Sequence, residues 1–174
     1  MKNLFLSGDI NVGKSTIIEK LIYESHISKD KIGGFYTKAY LENDKVMGFY
    51  IEPINFNSKI PTIQNRLIGY TPDGNSWVAV EKTFETFGVQ ILNYCLNSKF
   101  KLIIMDELGF FENKAYNFQK IIHKVLSSDK KVLGCIKPFS TSFMDSIRQR
   151  KDVIEVDITR SNRNDISRIL AEKF

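Results

Sequence analysis

Eight consecutive residues, Gly8-Asp9-Ile10-Asn11-Val12-Gly13-Lys14-Ser15, constrain the fold of this chain more than any other stretch. The apolar run Leu4-Phe5-Leu6 precedes them and Thr16-Ile17-Ile18 follows. A buried strand, a glycine-rich turn and a helix in that order make a phosphate-binding loop, in which backbone N–H groups face inward and the positive end of the helix points at the phosphates. Gly8 and Gly13 permit backbone conformations and close approach that a side chain would block. Lys14 can reach the outer phosphates, and Ser15 offers a hydroxyl to a magnesium ion. Gly8 through Thr16 is thus the expected nucleotide-binding segment.

The 174 residues suit a single α/β domain spanning residues 1–174, with ordinary hydrophobic and charged content. The N-terminal apolar run turns polar at Ser7-Gly8-Asp9, too soon for a signal peptide, and no run approaches membrane-spanning length. A soluble, cytoplasmic protein with no membrane partner is expected. Cys95 and Cys135 lie in apolar contexts without metal-type spacing, which reads as two reduced core residues. Charge is uneven: residues 1–113 hold 12 Lys/Arg against 13 Asp/Glu, and residues 114–174 hold 13 against 7. No helix carries the lysine stripe with aromatics that nucleic-acid binding uses, so a solvated basic face is favoured over a nucleic-acid surface.

Apolar spacing predicts a helix after the loop, carrying Ile17, Ile18, Leu21 and Ile22 inward. Residues 35–41 and 46–51 flank a polar turn and predict a β-hairpin. Prolines, glycines and asparagines across 55–80 predict loops with short antiparallel strands. Phe84, Phe87, Ile91, Leu92 and Cys95 share one helical face over about 83–97; Ala115, Phe118, Ile121, Ile122 and Val125 share another over about 113–128. His123 falls off that face and reads as a surface histidine. Apolar runs at 102–105 and 132–136 predict strands covered on both faces. A short helix is expected at 141–149, then an edge strand with Ile154, Val156 and Ile158 inward. A last helix from Asn162 should bury Ile166, Ile169, Leu170 and Phe174. Strands alternating with helices imply a three-layer sandwich of the P-loop kind, its sheet mainly parallel with an early antiparallel hairpin.

A second motif bears on what becomes of the phosphate. The apolar strand ending in Asp106-Glu107 is a Walker B pattern, which puts one carboxylate near a magnesium ion and the next beside an attacking water. Asp106 and Ser15 are the expected metal contacts, and Glu107 and Lys14 the expected catalytic pair.

At these residues the chain resembles the THEP1-type nucleoside-triphosphatases, a family that takes in the cancer-related nucleoside-triphosphatases. The resemblance covers most of the chain: the loop from Gly8 to Ser15, Gly34-Phe35-Tyr36-Thr37 with the returning Gly48-Phe49, the 84–92 segment with Gly88-Val89, and Met105-Asp106-Glu107-Leu108-Gly109. Glu112 falls where the family keeps a glutamate. The resemblance implies magnesium-dependent hydrolysis of nucleoside triphosphates, ATP foremost, with loose base preference and slow turnover. Two departures stand out. Phe110 replaces a lysine that many relatives carry, which implies a missing cation near the γ-phosphate, and the usual proline of the loop is absent at Asn11-Val12.

Arg148, Arg150 and Lys151 read as a solvated basic turn, with an arginine reaching the γ-phosphate as the alternative. Arg160, Asn162 and Arg163 are base-pocket candidates by fold analogy, although Asn162 equally suits a helix N-cap. Phe35, Tyr36, Phe49 and Tyr50 are expected to pack across the hairpin, and Phe110 and Phe111 to pack or to form a hydrophobic lid. Two other functions compete with hydrolysis: a nucleotide or small-molecule kinase, and a nucleotide-dependent adaptor or nucleic-acid-associated switch with incidental turnover. No Asn-Lys-x-Asp run supports guanine selectivity, since Asn113-Lys114-Ala115-Tyr116 lacks the acid.

Overall fold

In the computed structural model, which describes residues 2–173, β1 (Asn3–Ser7) is buried along its whole length and α1 (Lys14–Glu24) follows it across the glycine-rich turn. β2 (Ile32–Glu42) and β3 (Lys45–Ile54) make the expected antiparallel hairpin, turned by Asn43 and Asp44, both at positive φ. β4 (Leu67–Tyr70) and β5 (Val78–Ala79) extend it as short antiparallel strands. α2 (Glu81–Thr83) runs through a π-helical stretch, Phe84–Gly88, into α3 (Val89–Asn97). β6 (Leu102–Leu108), α4 (Tyr116–Ser127), β7 (Lys131–Ile136), α5 (Ser142–Arg148), β8 (Val153–Asp157) and α6 (Arg163–Lys173) complete the chain.

The strands lie in the order β5-β4-β3-β2-β6-β7-β1-β8. Those from β2 to β8 in that order are parallel, and β3, β4 and β5 are antiparallel additions. Side chains alternate between two cores, as the pleat requires. Leu4, Leu6, Leu102, Ile104 and Leu133 face α1 and α6, whereas Phe5, Ile103, Met105 and Val132 face α3, α4 and α5. Helices on both faces explain why these strands read as continuous apolar runs. β2 and β6 close on each other at Gly34, whose φ is 112° and whose added Cβ would sit 2.0 Å from the Ile104 carbonyl oxygen, so that no other residue fits.

The π-helical stretch widens the turn that presents Glu85 to α4. The first N–H groups of a helix lack intrahelical partners, and Ala115 at the cap offers no side-chain oxygen. Glu85 supplies one from another element: its carboxylate accepts from the Asn117 N–H at 2.7 Å and from the Phe118 N–H at 3.4 Å. A negative charge there also suits the positive end of the helix.

Two expectations change at the C-terminal end. Ile154 is 47% exposed, because β8 is an edge strand at the rim of the covering helices. Ile169 is 44% exposed, and the inner face of α6 is made by Ile166, Ser167 and Leu170; Phe174 lies outside the described residues. No helix among the described residues is long and apolar enough to cross a membrane.

Removing the borrowed cap by Glu85→Ala is expected to lower stability by about 1 kcal/mol, read as a lower urea midpoint with an unchanged m-value.

Candidate active site

The C-terminal ends of β1, β6 and β7 open on one side of the sheet, where a crevice between parallel strands collects ligands. The loop after β1 turns at Gly8, at φ 127°, where an added Cβ would meet the Ile158 carbonyl oxygen at 2.2 Å. The loop and the segment after β8 are therefore in direct backbone contact. Lys14 folds back into the turn, its Nζ donating to the carbonyls of Gly8 at 2.8 Å and Asp9 at 2.9 Å. Beside it lies a cavity of about 440 Å³ lined by Ile10, Asn11, Gly13, Lys14, Ser15, Thr16, Phe49, Asp106, Glu107 and Lys137.

The two acids reach that cavity because β6 is irregular there. Met105 pairs with Gly134 and Leu108 with Ile136, so one extra residue bulges from the ladder at Asp106-Glu107. Thr37, from β2, accepts the Glu107 N–H through its hydroxyl at 3.1 Å. Loss of hydration on burial raises the Asp106 carboxyl above its ordinary range, opposed by a hydrogen bond from the Cys135 thiol and by the charges of Lys14 and Lys137. Burial likewise pushes the Cys135 thiol up, and it stays protonated as a donor. Cys95 and Cys135 are both free and buried.

A second cation besides Lys14 borders the same cavity. Lys137, just beyond β7, places its Nζ 2.7 Å from Glu107 Oε1. Oε1 is buried, and that ammonium is its one close polar neighbour among the described residues. The Lys137 backbone is pinned twice. Its N–H donates to the Leu108 carbonyl at 2.9 Å, and its carbonyl accepts from the Arg148 guanidinium at 2.6 Å. Arg148 also binds Glu155, Asp145 and the Phe139 carbonyl. Arg150 is engaged with Asp152, Ser127 and His123. Neither arginine lines the cavity; both tie surface elements together, while Lys151 is exposed. His123 is half-buried and bridges to Ser146 of α5 through Nε2. Lys137 was legible in principle, since a polar residue directly after a parallel strand next to β1 stands at the ligand end of the sheet.

The base-pocket candidates separate. Arg163 packs on the loop, a guanidinium nitrogen 3.5 Å from the Val12 carbonyl, and with Gly13, Thr16, Ile17, Lys20, Asn164 and Ser167 lines a second cavity of about 580 Å³. Gly13 and Thr16 border both cavities. Arg160 lines a separate depression with Gly8, Asp9, Pro138 and Thr159. Asn162 is occupied by its own loop, accepting from the Thr159 N–H at 2.8 Å and donating to the Asp157 carbonyl at 3.0 Å.

The hairpin aromatics disperse. Phe35 packs on Phe118, Tyr50 lies under the Arg66 guanidinium, and Tyr36 joins the α1 side of the core. Phe49 reaches the phosphate cavity and stacks with Trp77 and Phe111. Phe110 is 42% exposed, on Phe111 at 4.3 Å between ring centroids. Beneath it lies a small cavity of about 70 Å³ lined by Thr37, Glu107, Phe110, Phe111, Glu112 and Lys137 among others. Glu112 is buried and accepts the Gly109 N–H at 2.6 Å. Burial pushes its carboxyl up to about 7, opposed by that N–H and aided by the charge of Glu107.

A family model described as NTPase matches residues 3–171. The nucleoside-triphosphatase THEP1 of Thermotoga maritima is 32% identical over 163 residues, covering 94% of this chain and 90% of its own. Among solved structures, the crystal structure of THEP1 from Aquifex aeolicus is similar at a TM-score of 0.70 and 20% identity, covering 97% of this chain and 96% of its own. The solution structure of a human cancer-related nucleoside triphosphatase is similar at a TM-score of 0.73 and 23% identity, covering 99% and 97%.

Glu112 is expected to make stability depend on pH. Its folded value of about 7 lies above its ordinary 4.5, so the folded state holds the proton more tightly. Stability should then fall as pH rises from about 4.5 to about 7 and level off above it. Glu112→Gln, which fixes a neutral group, should match the parent near pH 5 and exceed it by up to about 3 kcal/mol near pH 8, measured by urea unfolding at both pH values.

Proposed function

The chain belongs to the THEP1-type nucleoside-triphosphatase family, and from that premise we propose how its residues divide the work of hydrolysis. It is a nucleoside-triphosphatase, and in our reading ATP and other nucleoside triphosphates bind with magnesium along the loop from Gly8 to Thr16. The Ser15 hydroxyl and the Asp106 carboxylate are hard oxygen donors on one cavity, the donor type magnesium prefers. Magnesium takes few protein ligands and keeps water and phosphate oxygens in its shell, so two protein oxygens are enough to seat it. Bound there, magnesium would neutralise negative charge on the transferred phosphoryl group.

The remaining work falls to the chain itself. Lys14 brings its ammonium into the turn, where charge builds on the outer phosphates. Glu107 accepts a hydrogen bond from water and orients it toward the γ-phosphorus; the water oxygen bonds to phosphorus as the β–γ bridging P–O bond breaks, giving nucleoside diphosphate and phosphate. The observation that carries this reading is the bulge that turns Asp106 and Glu107 into the cavity of Lys14 and Ser15. The base and ribose occupy the adjoining cavity beyond Gly13 and Thr16. There the flat guanidinium of Arg163 offers a stacking surface that suits any base, which accounts for broad preference. Two free buried cysteines accord with a reducing, cytoplasmic setting.

Phosphate release from ATP, GTP, CTP and UTP, with and without magnesium, tests the reading. All four should be hydrolysed only with magnesium. Lys14→Ala and Glu107→Gln should each slow release about 100-fold or more, with nucleotide binding kept in Glu107→Gln; full release by that variant would remove Glu107 from its role. Arg163→Ala should raise KM with kcat nearly unchanged, since base contacts bind ground and transition states alike.

A further inference from the structure

The search for a cation beyond Lys14 ends at Lys137. We propose that Lys137 is a positioning residue of the phosphate site: its ammonium holds the Glu107 carboxylate toward the phosphates. The proposal rests on the reading that Glu107 orients the attacking water.

Three observations carry it. The first is the ion pair, 2.7 Å between Nζ and Oε1, with both side chains about three-quarters buried. A pair withdrawn from water to this degree is screened far less than a surface one. The second is how firmly each end is held. The Lys137 backbone is fixed by Leu108 on one side and Arg148 on the other, and the Glu107 backbone by the Thr37 hydroxyl. Backbone freedom is thus already spent, and only side-chain rotamer freedom is lost when the two groups meet. The third is where the ammonium can turn. Lys137 lines the small cavity under Phe110 as well as the phosphate cavity, and of the two only the latter also holds Lys14 and Ser15. A carboxylate has about four acceptor sites, so Glu107 paired with one ammonium keeps lone pairs for water.

The test compares kcat and KM for ATP in Lys137→Met, Lys137→Arg, Glu107→Gln and the Glu107→Gln/Lys137→Met double variant. Lys137→Met should lower kcat about 100-fold while KM moves by less than about threefold. Lys137→Arg, which keeps the charge, should return to within about tenfold of the parent. Because Lys137 acts through Glu107, adding Lys137→Met to Glu107→Gln should cost less than about threefold more. Lys137→Gln repeats the contrast with a polar tip, so a folding defect in one variant leaves the other decisive. A Lys137→Met enzyme at parental kcat, a faster one, or full additivity in the double variant overturns the proposal. The first of these beside a slow Glu107→Gln overturns Lys137 alone. A Glu107→Gln enzyme at full rate instead removes the reading on which the proposal rests.

Discussion

A lysine ammonium can be buried only where hydrogen-bond acceptors surround it, and in this chain those acceptors are carbonyls of the very loop that carries the lysine. Lys14 donates to Gly8 and Asp9, so the turn closes around its own charge. That closure needs a backbone bend at Gly8 which no side chain could accompany, because the Ile158 carbonyl lies directly behind it. Ile158 is held in turn by its N–H, which donates to the Ser7 carbonyl. The loop geometry is thus written into the pairing of β1 with β8.

Opposite the loop, the sheet gathers acids into a space with little water. Asp106, Glu107 and Glu112 lie within seven residues of sequence, and burial works against ionisation in the first and the last. The structure answers with donors of graded strength: a thiol on Asp106, a backbone amide on Glu112 and an ammonium beside Glu107. Each carboxyl is thereby given a different environment within one short segment.

Much of this was legible in the sequence because it rests on local rules. Glycine spacing, apolar runs and helical periodicity place the loop, the covered strands and the inward faces of α3 and α4 at the residues where they occur. The features that were not legible depend on contacts between distant elements. Nothing near Lys137 in the chain marks it as the partner of Glu107; the parallel pairing of β6 with β7 brings them together. Arg148 read as solvated because its acceptors, two loop carbonyls and Glu155, become neighbours only when α5 packs beside β8. The exposure of Ile154 and Ile169 follows from where the covering layers end, which period-two and helical patterns do not encode.

The edge strand has a consequence for motion. β8 borders only β1, and sheet edges are where native proteins open first. Yet this strand braces both halves of the site: the segment leaving it backs Gly8 through Ile158, and its Glu155 holds Arg148, which grips the carbonyls of Lys137 and Phe139. A shift of β8 would therefore reach the loop through Ile158 and the Lys137 segment through Glu155 and Arg148. The two sides of the site are thus joined through one edge strand, so a substitution that loosens β8 would disturb both at once.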